Sequence, residues 1–336
     1  LTGRSNVAGD LSINALNLSQ NAEMDVKGSI SITVGENLNQ NANIKAVGDM
    51  TLSVGNDFMM LAETSTSVTA GNFVADAKGN TTLQTMDISG SLSVITANEL
   101  ILTRSLNTGA ETSFEAMNLS QAEAMTLGGA LTIKVGNDLT QNADIIVNDG
   151  NMILTAGNDF IMATQSSTTL SAGNFESVVE NNTSLGMLTV SGSMDINIGK
   201  ALLLTGGMTV GLDTNMQAES LTQDADMLVE GALSLTTAAD LTQNANTTVN
   251  GGNMTVVVGN DFIMADQTHS TVTAGDFSST AQKDSSLALM TVSGNMEVNV
   301  DESENIGESL SLTGRSNVAG DLSINALNLS QNAEMD

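Results

Sequence analysis

Between Ala130 and Gly150 the chain reads ALTIKVGNDLTQNADIIVNDG. Leu131, Ile133 and Val135 alternate with Thr132 and Lys134, the period-two signature of a strand with one buried face. Val135 is therefore expected in a core and Lys134 in solvent. Gly136-Asn137-Asp138 predicts a turn, because these residues tolerate positive φ or bond their own backbone. Leu139 to Ala143 predicts a second short strand. Ile145 and Val147 alternate in a third, closed by Asn148-Asp149-Gly150. Three short strands and three turns in about 20 residues describe one coil of a parallel β-helix. A helical reading fails. Thr, Val, Asn and Gly are poor helix formers, and no apolar stripe of helical period persists.

The same pattern opens again at Asp10, Ser29, Asp49, Asn72 and Ser91, then at Ala130, Asn151, Asn174 and Ser193, then at Ala232, Asn253, Asp276 and Asn295. Neighbouring starts lie 19 to 23 residues apart where the series is unbroken. One further segment fits between Ser91 and Ala130, and another between Ser193 and Ala232. A longer period lies above this one. GNDF occurs at Gly55–Phe58, Gly157–Phe160 and Gly259–Phe262, 102 residues apart each time. Leu18, Leu119, Leu221 and Leu329 open Leu-Ser/Thr-Gln strings separated by 101, 102 and 108 residues. The surplus six residues fall near Glu302–Gly307. Residues 1–25 and 312–336 are the same string, letter for letter. Residues 1–311 are thus read as one tandem unit of a continuous solenoid, in three sub-repeats of about 102 residues. Residues 312–336 begin the next identical unit, so the chain is a window on a longer array. The expected fold is all-β: a right-handed parallel β-helix, a β-solenoid of about 15 coils of about 20 residues per 311-residue unit.

Composition sharpens this picture. The 336 residues contain no Pro, where average usage gives about 17. In a solenoid each strand pairs with the coil before it and the coil after it. A proline would remove a ladder hydrogen bond. Cys, Trp and Tyr are also absent and Phe numbers seven. Disulfides, thiolate metal sites, aromatic cages and base-stacking platforms are excluded. With 9 basic and 38 acidic residues the net charge is −29, which disfavours nucleic acid and anionic membrane as partners. No apolar run approaches the length of a membrane span, and no membrane insertion is expected. No charged segment followed by an apolar run opens the chain, so no export signal is read there.

Candidate chemistry is sparse. His269 is the only histidine, and its counterparts 102 and 204 residues earlier are Ser167 and Ser65. A surface role is expected for it, and no Ser-His-Asp triad. Serines are expected in turns and outward positions. Polysaccharide-cleaving β-helices gather carboxylates with basic residues, whereas the nine Lys and Arg here are scattered. No enzymatic activity, catalytic residue or required cofactor is expected. Asp57, Asp159 and Asp261 of the recurring Gly-Asn-Asp turns are read as backbone caps. Gln20 and Gln40, Gln121 and Gln141, and Gln223 and Gln243 fall one coil apart and are expected to stack as an amide ladder closing a turn. No Thr-x-Thr column of an ice-binding face recurs. Asp301, Glu302, Glu304 and Glu308 put four acids in eight residues and are the candidate ligands for Ca²⁺.

The strings GNDLTQNADI at Gly136–Ile145 and GNDFIMA at Gly157–Ala163, with LTLTAG-like runs, resemble the repeats of filamentous-haemagglutinin-type exoproteins. The resemblance covers the whole chain. It implies a β-helical shaft exported by a Gram-negative bacterium through the two-partner route to the cell surface or beyond. The expected function is the structural shaft of a very large secreted filament or extracellular fibre. The alternative is the shaft of an adhesin whose ligand-binding domain lies outside this window. The expected partners are further copies of the repeat in tandem, with lateral self-association promoted by divalent cations.

The charge carries its own prediction. Residues 312–336 include Arg315, Asp321, Glu334 and Asp336, so the 311-residue unit holds −27 of the −29. Fifteen coils at about 4.8 Å span about 72 Å, one net charge per about 2.7 Å of axis. Duplex DNA carries one per about 1.7 Å. Millimolar Ca²⁺ is expected to raise the melting temperature and promote side-by-side association, with the Asp301–Glu308 run as the local site. Melting and light scattering in CaCl₂ and in NaCl of matched ionic strength test this. Identical behaviour in the two salts would reduce the effect to screening.

Overall fold

The computed structural model describes residues 1–300, 309–332 and 334. Among these, all regular structure is β, in strands of three to five residues with no helix. The chain forms a parallel β-solenoid of about 16 turns, with one strand of each coil in each of three sheets. The coil predicted at Ala130–Gly150 shows the assignment. Leu131–Val135 lies in sheet II, Leu139–Gln141 in sheet III and Ile145–Val147 in sheet I. The second strand stops at Gln141 instead of reaching Ala143, because the Gln141 side chain turns inward and bonds the Ala143 carbonyl.

The coils fall into two compact units, Leu1–Ala172 and Gly173–Asp336. In the first, sheet I has nine strands, from Ser5–Val7 to Ser167–Leu170. Sheets II and III have eight each. In the second, sheet I has seven strands, from Met187–Val190 to Ser316–Val318, and sheets II and III again have eight. The two segments left open by the sequence pattern are the sheet II strands Thr112–Ala116 and Thr214–Ala218. Leu131–Val135 pairs in parallel with Thr112–Ala116 on one side and Met152–Ala156 on the other. Strands held this way are central ones, which is the physical reason for a proline-free sequence.

Alternation sets the core. Leu131, Ile133 and Val135 are at most 2% exposed, and all seven phenylalanines are equally buried. At two points in sheet III bulk is compensated along the stack. Phe58 lies in register with Thr81, and Phe262 with Ser285, so a large ring is followed by a small side chain. This corrects the expectation for serine. Ser166, Ser177, Ser270, Ser279, Ser285 and Ser316 are buried, because the core needs small residues at these points.

The GNDF string acquires a role for each letter. A Cβ at Gly55 would stand 2.0 Å from the Gly35 carbonyl oxygen, and one at Gly157 would stand 2.2 Å from that of Gly136. Stacked turns approach too closely there for any side chain. The Asn56 amide donates to Asn37 Oδ1 of the preceding coil at 2.9 Å. Asp57 Oδ1 accepts from the Asn80 backbone N of the next coil at 2.7 Å. Phe58 fills the core.

Val135→Asp places an unpaired charge in this core and is expected to cost several kcal/mol. Lys134, whose side chain is 67% exposed, tolerates Asp with a change within about 0.5 kcal/mol. Urea denaturation of both variants measures the difference, and equal losses would displace the strand register.

Candidate functional site

Three corner columns concentrate the polar chemistry. Ahead of sheet III, Asp261 N donates to Asp240 Oδ1 at 3.3 Å, Asp284 N to Asp261 Oδ1 at 3.0 Å, and Ser309 N to Asp284 Oδ1 at 2.7 Å. Ahead of sheet II, Asn72 N donates to Asp49 Oδ1 and Ser91 N to Asn72 Oδ1. Ahead of sheet I, Ser65 N donates to Asn43 Oδ1 and Ser167 N to Asp144 Oδ1. Each side-chain oxygen thus caps the start of the strand one coil further on. Asp57 and Asp261 are backbone caps, as the turn pattern predicts, and they cap the neighbouring coil.

The glutamines stack in the predicted pairs, Gln20 with Gln40, Gln121 with Gln141 and Gln223 with Gln243. They are buried, each about 1% exposed. Their amides bond backbone and hydroxyl groups. Gln243 Nε2 donates to the Ala245 carbonyl and to Ser270 Oγ, both at 3.0 Å. Gln223 Nε2 reaches the carbonyls of Ala225 at 3.1 Å and Asn246 at 3.0 Å, while its Oε1 accepts from Thr247 at 3.0 Å. The glutamines close the turn between sheets III and I from inside, by satisfying carbonyls that face the core. Their shared parity with the preceding inward leucine was the available signal.

The predicted ligands Asp301, Glu302, Glu304 and Glu308 lie outside the described residues. Among the described residues no three His, Asp or Glu side chains come together as a metal-binding group. His269 sits in a sheet I strand, its Nε2 2.9 Å from Thr291 Oγ1 and its backbone N bonded to Asn246 Oδ1. Five of the basic side chains form exposed ion pairs: Arg4–Glu23, Lys27–Asp25, Lys78–Asp76, Lys134–Glu115 and Lys200–Glu219. The hydrogen bond from Lys27 holds the Asp25 carboxyl below its ordinary pKa. Among the described residues no helix is long and apolar enough to cross a membrane.

The outward faces differ in a way the linear sequence conceals. Sheet I of the second unit presents Thr189, Thr209, Leu228, Thr248, Thr271 and Thr291 in one aligned column. No second outward threonine accompanies them within a strand: where a strand has two outward positions the other is Met187, His269 or Leu289. A shallow trough runs along Met187, Thr209, Leu228 and Thr248. Sheet II carries acids outward in both units, among them Asp76 and Glu115, then Glu176 and Asp195. In sheet III, the residue between the two inward side chains of each strand is Ser, Thr, Asn, Met, Ile or Leu, never an ionisable one.

Replacing Gln243 by Leu removes the partner of the Ala245 carbonyl and of the buried Ser270 hydroxyl. It is expected to cost about 1–3 kcal/mol. Asn244→Leu, which breaks only an exposed bond to Asp224, is expected to change stability by at most about 0.5 kcal/mol. Chemical denaturation of the two variants measures the contrast.

No family model, curated protein or solved structure matches this chain.

Proposed function

We propose that this chain is a segment of the structural shaft of a very large secreted bacterial filament or extracellular fibre, with no catalytic role. One observation carries the reading. The string repeated at residues 1–25 and 312–336 contributes three coil strands in both places, Ser5–Val7, Leu11–Ala15 and Leu18–Gln20 in the first and Ser316–Val318, Leu322–Asn325 and Asn328–Gln331 in the second. In the first unit that coil pairs with the coil following it, Ser5 in register with Met24 and Leu11 with Ile30. In the second unit it pairs with the coil preceding it, Met290 with Ser316 and Met296 with Leu322. The same sequence therefore has a partner surface on both sides. A tandem array built from it has no point at which stacking must stop. The resemblance to filamentous-haemagglutinin-type repeats supports the extracellular location and the bacterial source.

Electron microscopy of tandem arrays tests the reading. Thin rods are expected to lengthen by about 72 Å for each added 311-residue repeat, fifteen coils at about 4.8 Å. Globular beads joined by linkers would overturn it.

A further inference from the structure

We infer that the outward face of sheet III is a lateral docking surface for a second copy of this chain, with the two copies parallel. The inference extends the fibre reading by naming what lies beside the shaft. Its starting point is electrostatic. A chain of net charge −29 repels its own copies, and a carboxylate desolvated against another copy without a partner is costly. Contact is least opposed where no ionisable group faces outward. Sheet II fails that test in both units, and sheet I fails it in the first, where Asp25, Lys45 and Asp87 point outward. Sheet III comes nearest to passing it: the central outward position of every strand is neutral, and Glu99, at the start of Glu99–Leu102, is its one outward ionisable residue among the described strands.

Sheet III also carries apolar surface. Its outward column places Met59, Ile101 and Ile161 in the first unit and Leu203 and Ile263 in the second, among Ser, Thr and Asn. Met59, Ile161 and Ile263 are 49%, 48% and 43% exposed. A strip of short hydroxyl and amide side chains punctuated by aliphatic ones suits close, largely dehydrated packing against a surface of the same kind.

The edges of the face select the orientation. One edge is the acidic corner that precedes each strand, with Asp138 and Asp159 in the first unit and Asp240, Asp261 and Asp284 in the second. The residues that follow the strands form the other edge, for example Asn41, Thr103 and Asn142, then Thr205 and Asn244, with Asp224 the single acid among them. A two-fold axis along the stacking direction sets the acidic edge of one copy against the amide and hydroxyl edge of the other. A two-fold axis across it sets acid against acid. The first arrangement keeps the copies parallel and brings each coil opposite its own equivalent.

Area sets the strength. Eight strands at about 4.8 Å, each about 10 Å wide, offer about 380 Å² per unit. A stable specific interface needs about 800 Å² from each partner. Pairing is therefore weak for a short window and strengthens steeply with each tandem copy, because every added unit binds intramolecularly.

Sedimentation of the 336-residue chain tests the inference. Raising NaCl from about 0.01 M to about 1 M shortens the screening length from about 30 Å to about 3 Å. The average mass is expected to rise with salt and concentration toward that of a dimer. CaCl₂ of equal ionic strength is expected to do the same. Ile161→Glu combined with Ile263→Glu is expected to keep the chain monomeric throughout. Val178→Glu with Val257→Glu, at comparably exposed sheet II positions, is expected to leave pairing intact. Circular dichroism melts verify that both variants stay folded. The sequence has no cysteine, so Thr140→Cys and Ser286→Cys can each be treated with a short bis-maleimide. Parallel copies cross-link at both sites, each residue to its own equivalent. A chain that stays monomeric in high salt, or one that pairs only with Ca²⁺, overturns the inference, as does equal loss in both Glu variants. Failure of either cysteine to cross-link overturns the parallel arrangement. Rods that lengthen with repeat number yet never pair refute lateral docking alone and leave the fibre reading standing.

Discussion

Each coil of this protein commits the backbone donors and acceptors of its strands to the coils on either side. Leu131–Val135, held between Thr112–Ala116 and Met152–Ala156, represents the general case. From this one constraint most of the composition follows. Proline is disfavoured because all but the first and last strand of each sheet lie between two others. Glycine is required where turns stack at distances that admit no Cβ, as at Gly55 and Gly157. Asparagine and aspartate collect at the corners because a strand's first amide needs an acceptor that the ladder does not supply. The interior is narrow, and in sheet III Phe58 and Phe262 are followed by residues as small as Thr81 and Ser285.

Much of this architecture is legible in the linear sequence because the period-two pattern is undisturbed by tertiary context. A strand buried on one face and exposed on the other announces its parity, and the parity of Leu131, Ile133 and Val135 is their burial. What sequence reading misses is whatever is assembled across coils. The threonine column Thr189, Thr209, Thr248 is built from residues separated by turns of unequal length, so no fixed spacing reveals it. The neutral strip of sheet III is hidden in the same way. The glutamines stack as their spacing predicts, but their bonding partners differ. Their spacing suggests amide bonded to amide, but the turn they occupy directs backbone carbonyls inward, and these compete for the same Nε2 protons. The inward serines answer a packing demand set by neighbouring coils, which no local pattern encodes.

The distribution of polar groups separates two tasks. Buried polar side chains, such as Gln243 with Ser270, bond one coil to the next inside the core and fix its register. Exposed ones at the corners, such as Asp57 and Asp276, also bond coil to coil, but with their carboxylates open to water. Inside, an unpaired polar group is costly, and among the described residues those left without a partner are mostly small hydroxyls such as Ser177 and Ser279, with Gln121 Oε1 the one amide atom among them. The outer network tolerates variation because solvent supplies what a neighbour does not. The five ion pairs described above are likewise open to water and contribute little to stability.

The corner columns have a consequence at the level of the gene. A side-chain oxygen caps the next strand whether it belongs to an amide or a carboxylate: Asn72 caps Ser91 much as Asp276 caps Asn295. Codons for asparagine and aspartate differ by a single base transition. A lineage carrying this repeat can therefore raise or lower the charge of the whole array one nucleotide at a time without passing through a misfolded intermediate. Selection for solubility, ionic environment or spacing between neighbours acts on these positions independently of selection for the fold.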